Sequence, residues 1–461
     1  MNRRWYGALV ALGALTTALG TITAAPRDAQ AQVWLEDRAR AEGRGIRTGN
    51  FELHPGIGAE FGYDSNVFYR PNDPISALRL RVTPSFFIST LGAQRTANSD
   101  SPTTALPTVN FRGGVALVYH EWFPTTENDR VSSLRNLGAQ ATMRFEFFPQ
   151  RTWQFALANE FARTIQPGPD ASPVVPTGGT PSTFNRNFNR ASAELAYAPG
   201  RGTFEFRLSY GFIANIFDSD DFAQFSYLSH DILGRMRWRF LPKTALVWEG
   251  GVTPLSYNEP GRGTTGLFSS TPVRTRFGLN GLISERIQVL LLAGYQATFF
   301  EGGDNADTVI GQAELRWIIN PTSNLRGGFQ RDIQNSFFGN FAVRNRGYMA
   351  YQHTFGGRFL LSLDGSVGLY EFGYLSDRNG VRTTTGSGFD PTSGRFSAVR
   401  IEGTAFAEYR PSEIVGLNVT VRGASNISDA RFGNSPGLDG QPGQSIAWAR
   451  VEAFVGARVN W

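Results

Sequence analysis

Apolar residues alternate with small or polar residues along most of the chain from residue 51 onward. In one stretch, Phe206 and Leu208 alternate with Glu205 and Arg207. A period of two is typical of β-strands with one apolar face. Strands of soluble sheets usually have about five or six residues, whereas a tilted strand needs about ten to cross a bilayer. Many of the alternating stretches are longer than that, so the pattern predicts membrane-crossing strands and argues against a soluble sandwich.

The connections between these stretches alternate in length. Short turns rich in Pro and Gly, such as 149–151 and 242–243, are followed by longer polar loops, such as 166–186. Short periplasmic turns and long extracellular loops are typical of outer-membrane barrels. The sequence therefore predicts an all-β protein, a transmembrane antiparallel up-and-down β-barrel of about 18 strands with both chain ends in the periplasm. One link conflicts with this alternation: 90–107 is long where a short turn is expected, so it is a periplasmic insertion or the first two strands are misassigned.

The amino terminus has the features of a secretory signal peptide. Arg3 and Arg4 precede an apolar stretch over 6–25, and Ala29 and Ala31 form an A-x-A cleavage site. An uncleaved membrane anchor is the alternative. The predicted organisation is a signal peptide cleaved after Ala31 (1–31), a short periplasmic segment (32–50) and an outer-membrane barrel (51–461).

Composition excludes several classes of function. The 461 residues include no Cys, which removes disulfides, thiolate nucleophiles and Cys-ligated metals. The net charge is +5, but the basic residues form no run, so nucleic-acid binding is not predicted. His54, His120, His230 and His353 lie on separate stretches without metal-ligand spacing. We therefore predict a protein that is not an enzyme and that has no cofactor or metal.

The last predicted strand carries the apolar alternation to the end of the chain. Backbone groups in hydrocarbon must all be paired, so the strands of the barrel must close. The outward-facing residues Val455, Ala457, Val459 and Trp461 resemble the terminal signal that the barrel-assembly machinery recognises. The predicted location is the bacterial outer membrane, with lipid and this machinery as partners.

The polar residues of each alternation should face the lumen. A barrel of about 18 strands is too wide for its own side chains to fill, so it encloses water or a plug. Arg235, Arg237 and Arg239 form a ladder of guanidiniums on one strand, which can bind carboxylates or phosphates bidentately. Alternatively, these arginines pair across the wall with Glu205 and Glu249. The other predicted lumen residues are Arg207, Arg274, Arg276, Glu314 and Arg316.

The first predicted hairpin contains a motif that supports a family resemblance. Tyr63, Asp64, Ser65, Asn66, Val67 and Phe68 follow a strand of alternating Gly and apolar residues. This resembles the opening of a bacterial porin-like β-barrel family with a Y-D-S-N-V-F motif, whose members are often encoded beside exopolysaccharide secretion genes, notably in myxobacteria. The resemblance implies a polysaccharide conduit that works with a periplasmic polysaccharide export protein lacking its own membrane-spanning part. It implies no catalytic residues. Within the motif we expect Asp64 and Asn66 to make turns, and Val67 and Phe68 to anchor the loop.

These observations lead to one hypothesis and two alternatives. The leading hypothesis is an outer-membrane conduit that exports a hydrated polymer, with exopolysaccharide as the implied substrate. The alternatives are a general diffusion porin for small solutes and a structural or adhesive barrel. The sequence leaves open the identity of the polymer, the presence of a plug and the oligomeric state.

Overall fold

The computed structural model describes residues 43–91, 108–125, 129–132, 134–164, 185–258, 267–336, 340–374, 395–436 and 442–461. The predicted signal peptide and its cleavage site lie outside these residues. Within them, the chain is almost entirely β-strand; the helical pieces are the short helix Asp129–Ser132 and two 3-10 turns. No helix in this part of the chain is long and apolar enough to span a membrane.

Eighteen long strands make up the wall, and we number them in chain order. They are β1 (Phe51–Asp64), β2 (Ala77–Thr90), β3 (Val109–Pro124), β4 (Asn136–Phe147), β5 (Trp153–Thr164), β6 (Arg186–Tyr197), β7 (Phe204–Phe217), β8 (Tyr227–Leu241), β9 (Thr244–Val252), β10 (Ser270–Leu282), β11 (Ile287–Phe300), β12 (Ala306–Asn320), β13 (Ser323–Asn335), β14 (Phe341–Phe355), β15 (Phe359–Phe372), β16 (Ser397–Tyr409), β17 (Val415–Ile427) and β18 (Trp448–Asn460).

Each strand pairs antiparallel with the next, and β18 pairs with β1 to close the sheet. At this seam Ile57 lies opposite Val459, and Asp64 lies opposite Glu452. The closed antiparallel barrel predicted from the sequence is therefore confirmed. Closure leaves no open sheet edge within the wall, as a hydrocarbon environment requires.

Three shorter strand segments accompany the wall. Leu255–Tyr257 continues β9 after an interruption at Pro254, which has no N–H to donate to the ladder of backbone hydrogen bonds. Ile46–Thr48 pairs with the beginning of β1. Arg431–Pro436 and Pro442–Ser445 pair with each other in the connection before β18.

Short and long connections lie at opposite ends of the barrel. The turn 356–358 is one of the short connections; Gly356 and Gly357 adopt φ of 53° and 70° there, a conformation that favours glycine. Residues 65–76, and the described residues 373–374 and 395–396, lie at the other end, which we call the long-loop end. Residues 92–107, between β2 and β3, lie outside the described residues, so the periplasmic insertion stays a prediction. β1 and β2 are both present in the wall, so the alternative of misassigned first strands is wrong.

The outer surface is apolar. Outward-facing side chains such as Ile57, Phe277 and Val455 are 52%, 59% and 58% exposed. Exposed aromatic residues gather near the short-turn end, where they would form a girdle at a lipid interface. This girdle contains Phe148, Trp153, Phe240, Trp317 and Tyr409. An apolar exterior with an aromatic girdle is the surface of a barrel that lies in the outer membrane.

Candidate functional site: the lumen wall and the first loop

The lumen is open to solvent away from the long-loop end. Arg112, Thr142, Glu160 and Asp364 occupy inward-facing positions of β3, β4, β5 and β15, yet their side chains are exposed. Exposed polar residues on the inner face of a wide barrel indicate a lumen that water can occupy. The wall around these residues is therefore the surface that a permeating solute would contact.

A chain of alternating charges crosses the lumen face from β4 to β8. The Arg144 guanidinium lies 4.0 Å from the Glu194 carboxylate, which lies 2.8 Å from Arg207. Arg207 also contacts Glu205, and Glu205 lies 2.7 Å from Arg237. These side chains are between 12% and 37% exposed, so the pairs are part of a wetted wall. Partly exposed pairs of this kind contribute little to stability but keep both charges in place.

The arginine ladder lies on the inner face of β8, where its residues alternate with outward-facing ones such as Trp238 and Phe240. Arg237 forms the ion pair with Glu205, and Arg239 donates a hydrogen bond of 2.6 Å to the backbone carbonyl oxygen of Gly202, in the turn between β6 and β7. Arg235 lies directly opposite Glu249 in the register of β8 and β9. For Arg237, this geometry corresponds to the alternative in which the ladder pairs across the wall. The role of the ladder in transport stays a prediction.

The other predicted lumen residues also occupy inward-facing positions. Arg276 on β10 forms an ion pair with Glu249 on β9, and Arg274, two residues away along β10, faces the same side of the sheet. Glu314 and Arg316 lie on the inner face of β12, which is two strands from β10. The structure therefore brings the predicted residues of β7 to β10 together and places those of β12 separately.

A second part of the inner wall is dry, which the alternation of apolar and polar residues does not by itself predict. Glu60 on β1 lies 2.9 Å from Arg81 on β2, and Glu408 on β16 lies 2.9 Å from Arg458 on β18. All four side chains are at most 3% exposed. Buried charges are tolerated only when they are paired, so these residues tie β1 to β2, and β16 to β18 across β17, rather than contact a solute. Glu60 and Arg81 lie on consecutive strands, and this is the sequence signal that could have identified the first of the two pairs.

The first-loop motif makes the turns that were expected. The Asp64 carboxylate accepts a hydrogen bond of 3.1 Å from the backbone N–H of Asn66, and the Asn66 side chain accepts one of 2.8 Å from the N–H of Arg70. Val67 is buried in a hydrophobic cluster against which Phe68 packs. Tyr63 faces outward and is exposed. The short polar side chains hold the loop in place because they replace the backbone hydrogen bonds of the strand that has just ended.

The same motif binds the last strand. Arg450 of β18 donates a hydrogen bond of 3.0 Å from Nε to Asp64 and also contacts it through Nη2. The Asn66 side chain donates to the carbonyl oxygen of Ala449 at 3.0 Å. The Arg450 guanidinium lies 4.6 Å from the centre of the Tyr69 ring. The motif thus lies on the seam between β1 and β18, a position that no local pattern in the sequence predicts.

Loop residues cover the inner wall at the long-loop end. Phe222 packs on the inward-facing Phe217, and Phe396 stacks on the inward-facing Phe372 with ring centres 4.3 Å apart. Small hydrophobic clusters therefore hold described parts of the long loops against the top of the lumen. No group of three or more His, Asp or Glu in the described residues could hold a metal ion. The wall chemistry is accordingly that of guanidiniums, carboxylates and amides.

The chain matches no protein-family model and no curated protein sequence. Among solved structures it is similar to the FrpB iron transporter from Neisseria meningitidis, at 7% identity and a TM-score of 0.44, covering 90% of this chain and 82% of that one. It is also similar to a variant of the ferric enterobactin receptor PfeA from Pseudomonas aeruginosa, at 9% identity and a TM-score of 0.42, covering 92% of this chain and 82% of that one. A third similar structure is OccK5 (OpdH) from Pseudomonas aeruginosa, at 10% identity and a TM-score of 0.41, covering 89% of this chain and 98% of that one. At these identities the similarity does not extend to what passes through the barrel.

Proposed function

We propose that the protein is an outer-membrane conduit through which hydrated polar solutes pass along a charged inner wall. The observation that carries this proposal is the chain of partly exposed charges from Arg144 to Arg237 on the inner face of an apolar-surfaced barrel. Charges of both signs hold water against the wall, which favours hydrated solutes over apolar ones. Partly paired side chains offer weak contacts, and weak contacts let a solute move on.

Within this function, the substrate we propose is an exopolysaccharide that leaves the cell with the help of a periplasmic polysaccharide export protein. The resemblance of residues 63–68 to the porin-like family supports this substrate. A hydroxyl-rich polymer could exchange hydrogen bonds with successive carboxylates and guanidiniums along the wall.

Deletion of the gene tests the polysaccharide assignment. The deletion strain should lose surface polysaccharide and retain polymer in the periplasm, and a plasmid copy of the wild-type gene should reverse both changes. Unchanged surface polysaccharide with none retained inside would contradict the polysaccharide assignment.

A diffusion porin for small solutes is the second candidate, and the exposed inward-facing Arg112, Thr142 and Asp364 favour it. Purified protein in planar bilayers should then conduct ions, and vesicles containing it should admit neutral sugars up to a size limit. Conductance together with unchanged surface polysaccharide would select the porin. If neither conductance nor any effect on polysaccharide is observed, the conduit proposal is wrong.

A further inference from the structure

The inner wall contains an arginine pair that the charge chain from β4 to β8 does not include. Arg316 of β12 lies directly opposite Arg326 of β13 in the register of the two strands. Arg316 lies between the outward-facing Leu315 and Trp317, which are 47% and 44% exposed, so its own side chain faces the lumen. Arg326 faces the same side because directly paired residues share a face of the sheet. Two guanidiniums therefore start from neighbouring positions on the lumen wall.

The carboxylate closest along the strand is engaged elsewhere. Glu314 accepts a hydrogen bond from the phenol of Tyr348 on β14, and the Gln312 amide donates to the same phenol oxygen at 3.4 Å. Tyr348 reaches Glu314 across Gly328 of β13, where an added Cβ would lie 2.7 Å from the phenol oxygen. The glycine makes room for this contact. Glu314 is thereby tied toward β14.

Other arginines that face each other in register have carboxylate partners. Arg112 lies opposite Arg144, and Arg144 lies 2.7 Å from Glu146. Arg207 lies opposite Arg235, and Arg207 lies 2.8 Å from Glu194. These pairs therefore combine repulsion between arginines with attraction to an acid.

Among the residues that the structure describes, the Arg316–Arg326 pair lacks such a partner. Within the described residues, no carboxylate lies within 4.0 Å of either guanidinium. The inward-facing Asp364 on β15 lies two strands from Arg326, opposite Ala350 of β14, and its carboxylate accepts a hydrogen bond of 3.3 Å from Ser362. Like charges directly opposite each other are unfavourable in a sheet. An anion between them would turn this repulsion into attraction.

We propose that Arg316 and Arg326 form an anion subsite that binds carboxylate or phosphate groups of the solute that passes through the lumen. This inference rests on the proposed conduit and specifies the chemistry of its solute. Guanidiniums bind carboxylate and phosphate groups through two parallel hydrogen bonds, which a single ammonium does not reproduce. The anionic group belongs either to a small organic acid or phosphate, or to acidic sugars of a polymer.

Binding measurements on the detergent-purified barrel test the subsite without requiring conductance. The probes are inorganic phosphate, trigalacturonate and the neutral sugar maltotriose, titrated by calorimetry. The test variant is the double substitution Arg316→Gln and Arg326→Gln. The control is Arg286→Gln with Arg358→Gln, which removes the same charge from exposed turns at the short-turn end. Losing one bidentate, charge-assisted contact should weaken trigalacturonate binding about tenfold.

The expected result is that trigalacturonate binds the wild type and the control equally, binds the test variant about tenfold more weakly, and outcompetes maltotriose. Phosphate binding of similar strength would identify small anions as ligands, and a clear preference for trigalacturonate would identify acidic polymer. Equal binding to test and control variants would overturn the subsite.

Two further arms keep the result interpretable. The variant Arg316→Lys with Arg326→Lys retains the charge but not the planar guanidinium. Compared with the double glutamine variant, it should be more selective for anions, as measured by the reversal potential in bilayers, and it should still bind trigalacturonate weakly. A folded test variant that keeps wild-type selectivity and binding excludes the subsite. A barrel that binds trigalacturonate through these arginines but neither conducts nor affects polysaccharide contradicts the conduit and leaves the subsite supported.

Discussion

The contact between the first loop and the last strand makes a quantitative prediction for Asp64→Asn. Asp64 is fully buried and Arg450 is 7% exposed, so the substitution removes one charge of a buried ion pair while conserving size. Breaking a buried pair usually costs about 3–5 kcal/mol, because it leaves a charge without its partner. Glu452 remains 2.9 Å from Arg450 and compensates part of this charge. We therefore expect the free energy of unfolding to fall by about 3 kcal/mol, the lower end of that range.

Urea unfolding of the barrel in lipid vesicles, followed by tryptophan fluorescence, measures this loss. The control is Glu413→Gln, which breaks the ion pair between Arg44 and Glu413. The two side chains of that pair are 74% and 79% exposed, so its loss should cost at most about 1 kcal/mol. The slope of free energy against urea should be unchanged in both variants, since neither alters the surface exposed on unfolding. Equal losses in the two variants would refute the view that burial at the seam makes the Asp64 pair important.

Two further predictions concern backbone space and pH. A Cβ at Gly278 would overlap the carbonyl oxygen of Leu291, so Gly278→Ala should destabilise the barrel by about 1–3 kcal/mol in the same urea assay. The control is Gly423→Ala, because a Cβ there meets no atom within 4 Å, and it should change stability by less than about 1 kcal/mol. Burial raises the pKa of Tyr69 from 10.0 to about 12, so its neutral phenol stabilises the fold fully below pH 10.0, and this contribution is lost as the pH rises through about 12. The urea midpoint of the wild type should fall as the pH rises from 10.0 to about 12. Tyr69→Phe should lack the part of this fall that comes from Tyr69, and Tyr63→Phe should behave as the wild type. Identical pH profiles for all three proteins would contradict the contribution assigned to Tyr69.

The period-two pattern was sufficient to predict which face each side chain occupies. Arg235, Arg237 and Arg239 lie inward because alternation is a local property of an extended chain. The contact between Arg237 and Glu205 could also be anticipated, since consecutive strands of an up-and-down barrel are neighbours. Local geometry and chain order therefore determine much of the wall between β7 and β10.

Contacts between distant parts of the chain could not be predicted in the same way. Asp64 and Arg450 are 386 positions apart, and they meet only if the barrel closes with one particular stagger between β1 and β18. The hydrogen bond between Tyr348 and Glu314 passes over Gly328, because a side chain there would collide with the phenol. The role of this glycine can be recognised only once β13 is known to lie between the two residues. Sequence alone identified Arg316 as a lumen residue and could not show that the neighbouring Glu314 would be bound by Tyr348.

The buried charges at the seam explain how one register is selected there. Sliding β18 by two residues along β1 would return every side chain to its own face, so the apolar alternation does not oppose such a slip. The same slip would separate Asp64 from Arg450, and Glu452 from Arg79, which it contacts at 3.2 Å. Arg450 and Glu452 would keep each other, whereas Asp64 and Arg79 would each lose a buried ion-pair contact. Breaking a buried pair usually costs about 3–5 kcal/mol. Paired charges on the inner face therefore distinguish registers that the apolar outer face treats as equivalent, which is a reason for a membrane barrel to bury ions on the strands that close it.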